Sequence, residues 1–321
     1  MATLWLCVHP GATVIGVRQA SSPPSLAAPT RSQQPSTGIA RVGFVGVAGA
    51  SERLQERCAL AGVDVAVYEP DRVAAEVAHS RIVGSLDCAA RFGELSDRGR
   101  DRACSRLRYV HDLADLAERE LVIECLNGDE PGTVAMLADI DRSLPDPGSI
   151  VASTMSSVPI GRLAAATERP ERVVGLHCLP PTLGLGLVEV VSSVLTAPAV
   201  ADRVRQFGST TLGTQTISVA DRPGLVVNGL LVPYLLSAIR MVEGGVASAA
   251  DVDRGMEHAV APSVGPLRLS DQIGLDTLAE LGRFLRDEHR DTSFAPPALL
   301  TRMVDAGLLG IKAGRGFYFY R

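Results

Sequence analysis

A histidine and a glutamate, His177 and Glu189, stand twelve residues apart, and each lies within a short apolar run. A carboxylate held against one imidazole nitrogen fixes the tautomer and raises the basicity of the other nitrogen. That second nitrogen can then take a proton from a substrate hydroxyl. A buried histidine that is satisfied by a nearby carboxylate is also an ordinary structural contact, so both interpretations stay open until the surrounding elements are considered.

The elements around this pair alternate between apolar strands and helices. Residues 42–46 read as a buried strand, a helical run follows to about residue 61, and residues 63–68 form a second strand that ends at Glu69. A strand–helix–strand unit of about 30 residues is typical of a dinucleotide-binding half. A helical segment is predicted over 72–108, and further strands are predicted over 121–124, 149–152, 173–176 and 187–191.

We therefore expect an α/β fold, with a Rossmann-like, doubly wound and largely parallel sheet, over residues 41–222. Sheets of this kind bind ligands outside the carboxyl ends of their strands. The alternation of strands and helices ends at an Asp-Arg-Pro-Gly stretch, residues 221–224. An all-helical C-terminal domain is predicted over 223–321. Helical periodicity within it covers 225–243, 249–260 and 277–290.

Composition narrows the class of protein. A net charge of -5 and the lack of a basic run give no reason to expect binding to nucleic acid or to a membrane surface. The six cysteines show neither a CxxC motif nor metal-type spacing, which predicts reduced thiols, a cytoplasmic location and no bound metal. Residues 1–40 lack the basic start of a signal peptide and contain a Ser/Pro/Gln-rich tract, so we expect a disordered N-terminal extension.

A glycine-rich loop should join the first strand to the first helix and hold a dinucleotide. The fingerprint G-x-G-x-x-G provides a tight turn, close backbone approach to the pyrophosphate, and close packing of helix on strand. Gly46 occupies the first glycine position, whereas Ala48 and Ser51 occupy the second and third, with Gly49 between them. The methyl group of Ala48 stands where the pyrophosphate should lie closest, so we expect weakened cofactor binding.

Glu69 stands 23 residues after Gly46, at the end of the second strand. A carboxylate there can accept hydrogen bonds from a ribose diol and would repel a 2′-phosphate, which favours NAD over NADP. A solvent-exposed acid at a strand end is the alternative interpretation.

Longer motifs carry a family resemblance. Residues 152–157 read ASTMSS, residues 175–181 read GLHCLPP, and residues 221–228 read DRPGLVVN. Residues 231–235 read LVPYL and residues 314–318 read GRGFY. On these motifs, residues 41–321 resemble the short-chain L-3-hydroxyacyl-CoA dehydrogenases, especially the bacterial 3-hydroxybutyryl-CoA type.

The resemblance implies a chemistry and assigns roles to residues. It implies NAD-dependent interconversion of 3-hydroxyacyl-CoA and 3-oxoacyl-CoA in fatty-acid or butanoate metabolism, by a homodimer that pairs through its helical domain. His177 would be the general base and Glu189 its orienting carboxylate. Ser156 and Asn228 would hydrogen-bond the 3-oxygen of the acyl-CoA substrate, and Lys312, the only lysine of the chain, would lie at the cofactor.

Departures from the family pattern cluster around the nicotinamide half of the site. Residues of other types replace the usual glutamate, lysine and two asparagines, namely Gly128, Thr133, Thr154 and Pro180. Two alternatives therefore stay open. One is a cofactor-impaired paralogue that binds acyl-CoA but turns it over poorly or not at all. The other is a dehydrogenase for a different 3-hydroxy acid.

Overall fold

The computed structural model describes residues 38–48, 51–126, 130–155, 158–178, 186–260 and 264–320. The chain divides into two compact units, Met1–Asp221 and Arg222–Arg321. Within the described ranges, no helix is long and apolar enough to cross a membrane. Four residues discussed above, Gly49, Gly128, Ser156 and Pro180, lie outside these ranges, as does the N-terminal stretch 1–37.

The first unit is built on one eight-stranded sheet with the order β3-β2-β1-β4-β5-β6-β7-β8. The strands are β1 Arg41–Val45, β2 Asp64–Tyr68, β3 Leu107–Val110, β4 Leu121–Glu124, β5 Ile150–Ser153, β6 Val173–Cys178, β7 Leu187–Ser192 and β8 Gln215–Ala220. Every neighbouring pair is parallel except β6 and β7, which are antiparallel. The strand order reverses between β1 and β4, and this is where doubly wound sheets bind ligands.

Six α-helices accompany the sheet among the described residues of this unit: α1 Ser51–Leu60, α2 Arg72–Arg91, α3 Asp97–Cys104, α4 Glu130–Ser143, α5 Ile160–Ala164 and α6 Pro198–Gln206. The central strands are buried and read as nearly continuous apolar runs, as expected of a parallel sheet covered on both faces. The fold class predicted from the sequence is confirmed.

The helix predicted over 72–108 is wrong at its C-terminal end. Gly93, with a φ of 74°, follows the end of α2, and the Ser96 hydroxyl accepts from the Gly99 amide to begin the separate helix α3. Residues 107–110 then form β3, an edge strand that pairs with β2. Four residues with polar Arg108 between apolar neighbours show too little periodicity to separate a short strand from a helix end.

The second unit is helical, with α7 Val227–Glu243, α8 Ala249–Ala259, α9 Pro266–Ile273, α10 Leu275–His289 and α11 Ala298–Asp305. Its core contains Leu235, Ile239 and Leu278, each at most 1% exposed. The buried Asp271 carboxylate fixes the C-terminal segment, because it accepts from the amides of Phe317 and Tyr318, both at 3.0 Å.

Candidate active site

His177 and Glu189 meet because their strands pair in antiparallel register. They are directly opposed residues of β6 and β7, and residues directly opposed across two strands project to the same face of a sheet. Nδ1 of His177 lies 2.6 Å from Oε2 of Glu189. Glu189 is completely buried and His177 is 9% exposed. With Nδ1 committed to the carboxylate, Nε2 is the nitrogen that can accept a proton from a ligand.

The turn after β1 requires glycine at its first position. Gly46 has a φ of 91°, and its amide donates to the Tyr68 carbonyl at 2.9 Å. A Cβ at this position would lie 2.8 Å from Cδ2 of Leu126 and 2.9 Å from the Cys125 carbonyl oxygen. The amide of Ala48 donates to that same carbonyl at 3.3 Å. The turn is therefore packed directly against the end of β4, with no room for a larger side chain at residue 46.

A buried hydroxyl–carboxylate pair lies between this turn and the histidine. The sheet register aligns Val45 with Glu124, Glu124 with Ser153, and Ser153 with Gly175, two residues before His177. The Ser153 hydroxyl donates to Oε2 of Glu124 at 2.5 Å, and the Leu126 amide donates to Oε1 at 2.6 Å. Burial raises the pKa of Glu124, and these two hydrogen bonds oppose the rise.

Sequence reasoning missed this pair. The available signal was a glutamate at the end of an otherwise apolar strand, Leu121–Glu124, followed one strand later by a serine at the same register position.

Comparison with known proteins connects this arrangement to an enzyme family. The NAD binding domain of 3-hydroxyacyl-CoA dehydrogenase matches residues 39–222, and the C-terminal domain of the same family matches residues 224–320. The chain belongs to the 3-hydroxyacyl-CoA dehydrogenase family. A 3-hydroxybutyryl-CoA dehydrogenase of Mycobacterium tuberculosis is 47% identical over 285 residues, which cover 89% of this chain and 100% of the relative.

Two solved structures agree with this assignment. The crystal structure of M. tuberculosis FadB2 is similar to this chain, with a TM-score of 0.85 and 47% identity over 88% of this chain and 99% of that one. The crystal structure of (S)-3-hydroxybutyryl-CoA dehydrogenase PaaH1 from Ralstonia eutropha gives a TM-score of 0.83 and 32% identity over 88% and 100%. The family resemblance read from the motifs is confirmed, and the protein is an NAD-dependent oxidoreductase of the 3-hydroxyacyl-CoA dehydrogenase family.

The loop residues of this family member fit a bound dinucleotide. Ser51, the first residue of α1, is 3% exposed, and its hydroxyl has no hydrogen-bond partner among the described residues. A buried hydroxyl without a partner costs about 1–3 kcal/mol, and an anion at a helix N-terminus is a suitable acceptor for it. Glu69 is half-buried directly after β2, and its Oε1 accepts from the Asp71 amide at 3.1 Å.

Of the four departures around the nicotinamide half of the site, two lie among the described residues. Thr133 is fully buried in α4, and its hydroxyl has no hydrogen-bond partner within the described ranges. Thr154 directly follows β5, and its amide donates to the Glu124 carbonyl at 3.0 Å. The threonine backbone at residue 154 therefore continues the β4–β5 ladder at the edge of the sheet that binds ligands.

The remaining predicted site residues lie in the helical unit of the dehydrogenase. Asn228 is half-buried in the first turn of α7. Nζ of Lys312 donates to Oδ2 of Asp276 at 2.5 Å. Burial raises the pKa of Asp276, but the hydrogen bond from Lys312 and the amide of Thr277 bring it below its usual value. The structure brings His177 to Glu189 in one unit and Lys312 to Asp276 in the other.

Metal ligands and thiols are two other kinds of functional group in the described part of the molecule. No group of three or more His, Cys, Asp or Glu side chains there could hold a metal ion. Cys178, next to His177, is a free thiol, and burial raises its pKa to about 12. Such a thiol stays protonated at neutral pH and is not a nucleophile.

Proposed function

We propose that the protein interconverts 3-hydroxybutyryl-CoA and acetoacetyl-CoA with NAD as the hydride carrier. The hydrogen bond from His177 to buried Glu189 is the observation that carries the proposal, because it provides the oriented base that the oxidation of a hydroxyl needs. The M. tuberculosis relative that is named a 3-hydroxybutyryl-CoA dehydrogenase supports the choice of a short acyl chain.

The proposed mechanism uses four side chains. Nε2 of His177 takes the proton of the 3-hydroxyl group as C3 loses its hydride, and Glu189 stabilises the imidazolium that forms. Ser156 and Asn228 hydrogen-bond the 3-oxygen and orient C3. NAD⁺, held by the loop residues at the N-terminus of α1, would supply the acceptor for that hydride. In the reverse direction, protonated His177 returns the proton to the 3-oxygen while Ser156 and Asn228 hold the carbonyl.

We assign cofactor contacts to the loop and to two charged side chains. Gly46, Ala48, Gly49 and Ser51 would hold the diphosphate at the N-terminus of α1. Glu69 would accept from the ribose hydroxyls and thereby favour NAD over NADP. Lys312, held by Asp276, is the remaining contact that we propose on the cofactor side.

The test is a fluorescence titration of the purified protein with NADH, followed by an assay of acetoacetyl-CoA-dependent NADH oxidation. We expect saturable binding and turnover. No binding at millimolar NADH would contradict the dehydrogenase proposal and favour the cofactor-impaired paralogue. Binding without acetoacetyl-CoA-dependent oxidation would favour a dehydrogenase for another 3-hydroxy acid, to be identified with a panel of such acids.

We further propose that two copies pair through the exposed face of α7. Leu230 is 73% exposed and Met241 is 48% exposed, and their eleven-residue spacing places them on the same side of the helix. Leu230→Asp should shift the protein from dimer to monomer in light scattering, whereas Val73→Asp, at a 69% exposed valine of α2, should leave the dimer unchanged. The cysteine spacing, with no CxxC motif, is typical of reduced thiols, and we propose the cytoplasm as the location.

A further inference from the structure

Glu124 is a fully buried carboxylate beside the turn that we assign to the cofactor, and the mechanism proposed above gives it no role. Its exposed fraction is 0%, and no cation from the described ranges contributes to its environment. Burying a carboxylate without a counter-charge is costly unless its oxygens receive hydrogen bonds. Glu124 meets this requirement with two donors: the Leu126 amide lies in the turn after β4, and the Ser153 hydroxyl, at the end of β5, itself accepts from the turn that follows that strand. Its position therefore depends on both turns.

The first of these turns supports the cofactor loop. Oε1 of Glu124 accepts from the Leu126 amide, which fixes the two residues that follow β4. Those same two residues, Cys125 and Leu126, fill the space beside Gly46, and the Cys125 carbonyl accepts from Ala48. A displacement of the turn after β4 would therefore change both the clearance at Gly46 and the hydrogen bond to Ala48.

The second turn leads toward the residues that we assign to the substrate oxygen. Oε2 of Glu124 accepts from the Ser153 hydroxyl, which itself accepts from the Met155 amide at 3.2 Å. Ser153 thus connects the carboxylate to the backbone that directly precedes Ser156. One side chain joins the two turns that flank the centre of the ligand-binding edge.

We propose that Glu124, acting through Ser153 and Leu126, is a positioning residue of the dehydrogenase reaction: it holds the turn behind the cofactor loop and the turn before Ser156 in a fixed relation. The inference rests on the proposed function. It assigns to Glu124 neither a proton transfer nor a contact with the substrate.

The test compares Glu124→Ala, Glu124→Gln and Ser153→Ala, with Glu120→Ala as the matched control. The Glu120 carboxylate also accepts two backbone hydrogen bonds, from the Ala40 and Arg41 amides. It stands just before β4, however, at the amino end of the strand and away from the ligand-binding carboxyl end. For each variant, the dissociation constant for NADH is measured by fluorescence without substrate, kcat is measured at saturating NADH, and the thermal midpoint is recorded.

We expect Glu124→Ala to weaken NADH binding by about tenfold or more and to lower kcat, as for a lost charged hydrogen-bond acceptor. Glu124→Gln should recover most of both, since an amide oxygen can accept from Leu126 and an amide nitrogen can donate to the Ser153 hydroxyl. Ser153→Ala should give a smaller loss of the same kind. Glu120→Ala should lower the thermal midpoint and leave NADH binding unchanged.

Two outcomes would overturn the inference. In one, folded Glu124→Ala or Ser153→Ala binds NADH and turns over like the wild type. In the other, Glu120→Ala loses as much NADH affinity as Glu124→Ala for a similar drop in thermal midpoint, which would make the role one of general stability. A wild-type protein that fails to bind NADH would instead contradict the proposed function, so the two failures are distinct.

Discussion

The two halves of the candidate site are held by different kinds of structure. His177 and Glu189 are opposed residues on paired strands, so the backbone ladder itself sets their separation. The cofactor side depends on a turn at Gly46 and on the first residue of a helix, Ser51, both outside the strands. Strand pairing therefore fixes the geometry of the proton-handling half. The geometry of the cofactor half depends on the conformation of the turn and of the helix N-terminus.

This difference determines how strongly a substitution should act in each half. A residue on a paired strand keeps its side-chain direction when neighbouring residues are substituted, because strand register alone sets that direction. A loop that brings backbone close to a diphosphate has no such tolerance, since one methyl group changes the closest approach. Ala48 and Ser51 are changes of that second kind. The following variants test whether the halves are as independent as their construction indicates.

The largest expected effect is on the ladder half. His177→Ala should lower kcat by about 10²–10⁴-fold, the usual contribution of a general base, and leave the NADH dissociation constant within about twofold. His258→Ala, at an exposed histidine in the last turn of α8, is the control for removing an imidazole and should keep full activity. An unchanged rate in His177→Ala would contradict its assignment as the base.

The next effect is on the loop half. Gly46→Ala forces a side chain into a backbone conformation with a φ of 91° and against Leu126, so unfolding free energy should fall by about 1–3 kcal/mol. NADH binding should weaken by about tenfold or more. Gly84→Ala is the matched control within α2, where a Cβ meets nothing within 4 Å, and it should stabilise the protein by about 0.5–1 kcal/mol. Equal stability of the two variants in urea unfolding would contradict the packing argument.

Restoring glycine at residue 48 and at residue 51 should have smaller effects on NADH binding, and of opposite sign. Ala48→Gly removes the methyl group at the closest approach and should tighten NADH binding about 3–10-fold, roughly 1 kcal/mol, with kcat unchanged. Ser51→Gly should weaken binding, because it removes the buried hydroxyl that fits a phosphate acceptor. Isothermal titration measures both. If both variants bind NADH more tightly, the serine hydroxyl is not a ligand, and both side chains simply occupy space that the cofactor needs.

The smallest expected effect is on the pH dependence of stability. Burial raises the pKa of Glu124 above the ordinary 4.5, so its favourable contribution is complete below pH 4.5 and is lost as the pH rises through the folded-state value. Glu124→Gln cannot titrate and should give a flatter plot of unfolding free energy against pH above 4.5. Parallel plots for wild type and variant would contradict a raised pKa at this carboxyl.

The sequence predicted the elements with a clear local pattern and missed those that depend on pairing with a distant segment. The strand–helix–strand start of the fold was predictable because β1 and β2 are apolar runs bounded by glycine, and they pair with each other across a single helix. The long apolar helix α7 was predictable from its length. The edge strand β3 was not, because its four residues carry a pattern that pairing with β2, rather than local preference, turns into a strand.

Within the candidate site, the motif spacing predicted that His177 and Glu189 would meet, and they do at 2.6 Å. It did not predict Glu124 with Ser153, since a hydrogen bond between neighbouring strands requires their register, which no motif specifies. The preference for NAD at Glu69 and the role of Lys312 stay predictions.

The ion pair of Lys312 with Asp276 has a practical consequence for spectroscopy. Because this is the only lysine in 321 residues, reductive methylation with ¹³C-formaldehyde introduces one dimethylamino resonance besides that of the chain terminus. Its chemical shift would report on the Asp276 carboxylate directly, at a distance of 2.5 Å, without any substitution in the protein. Titration of such a sample with NADH would test the cofactor contact proposed for Lys312, because a bound cofactor in contact with this side chain would shift its resonance.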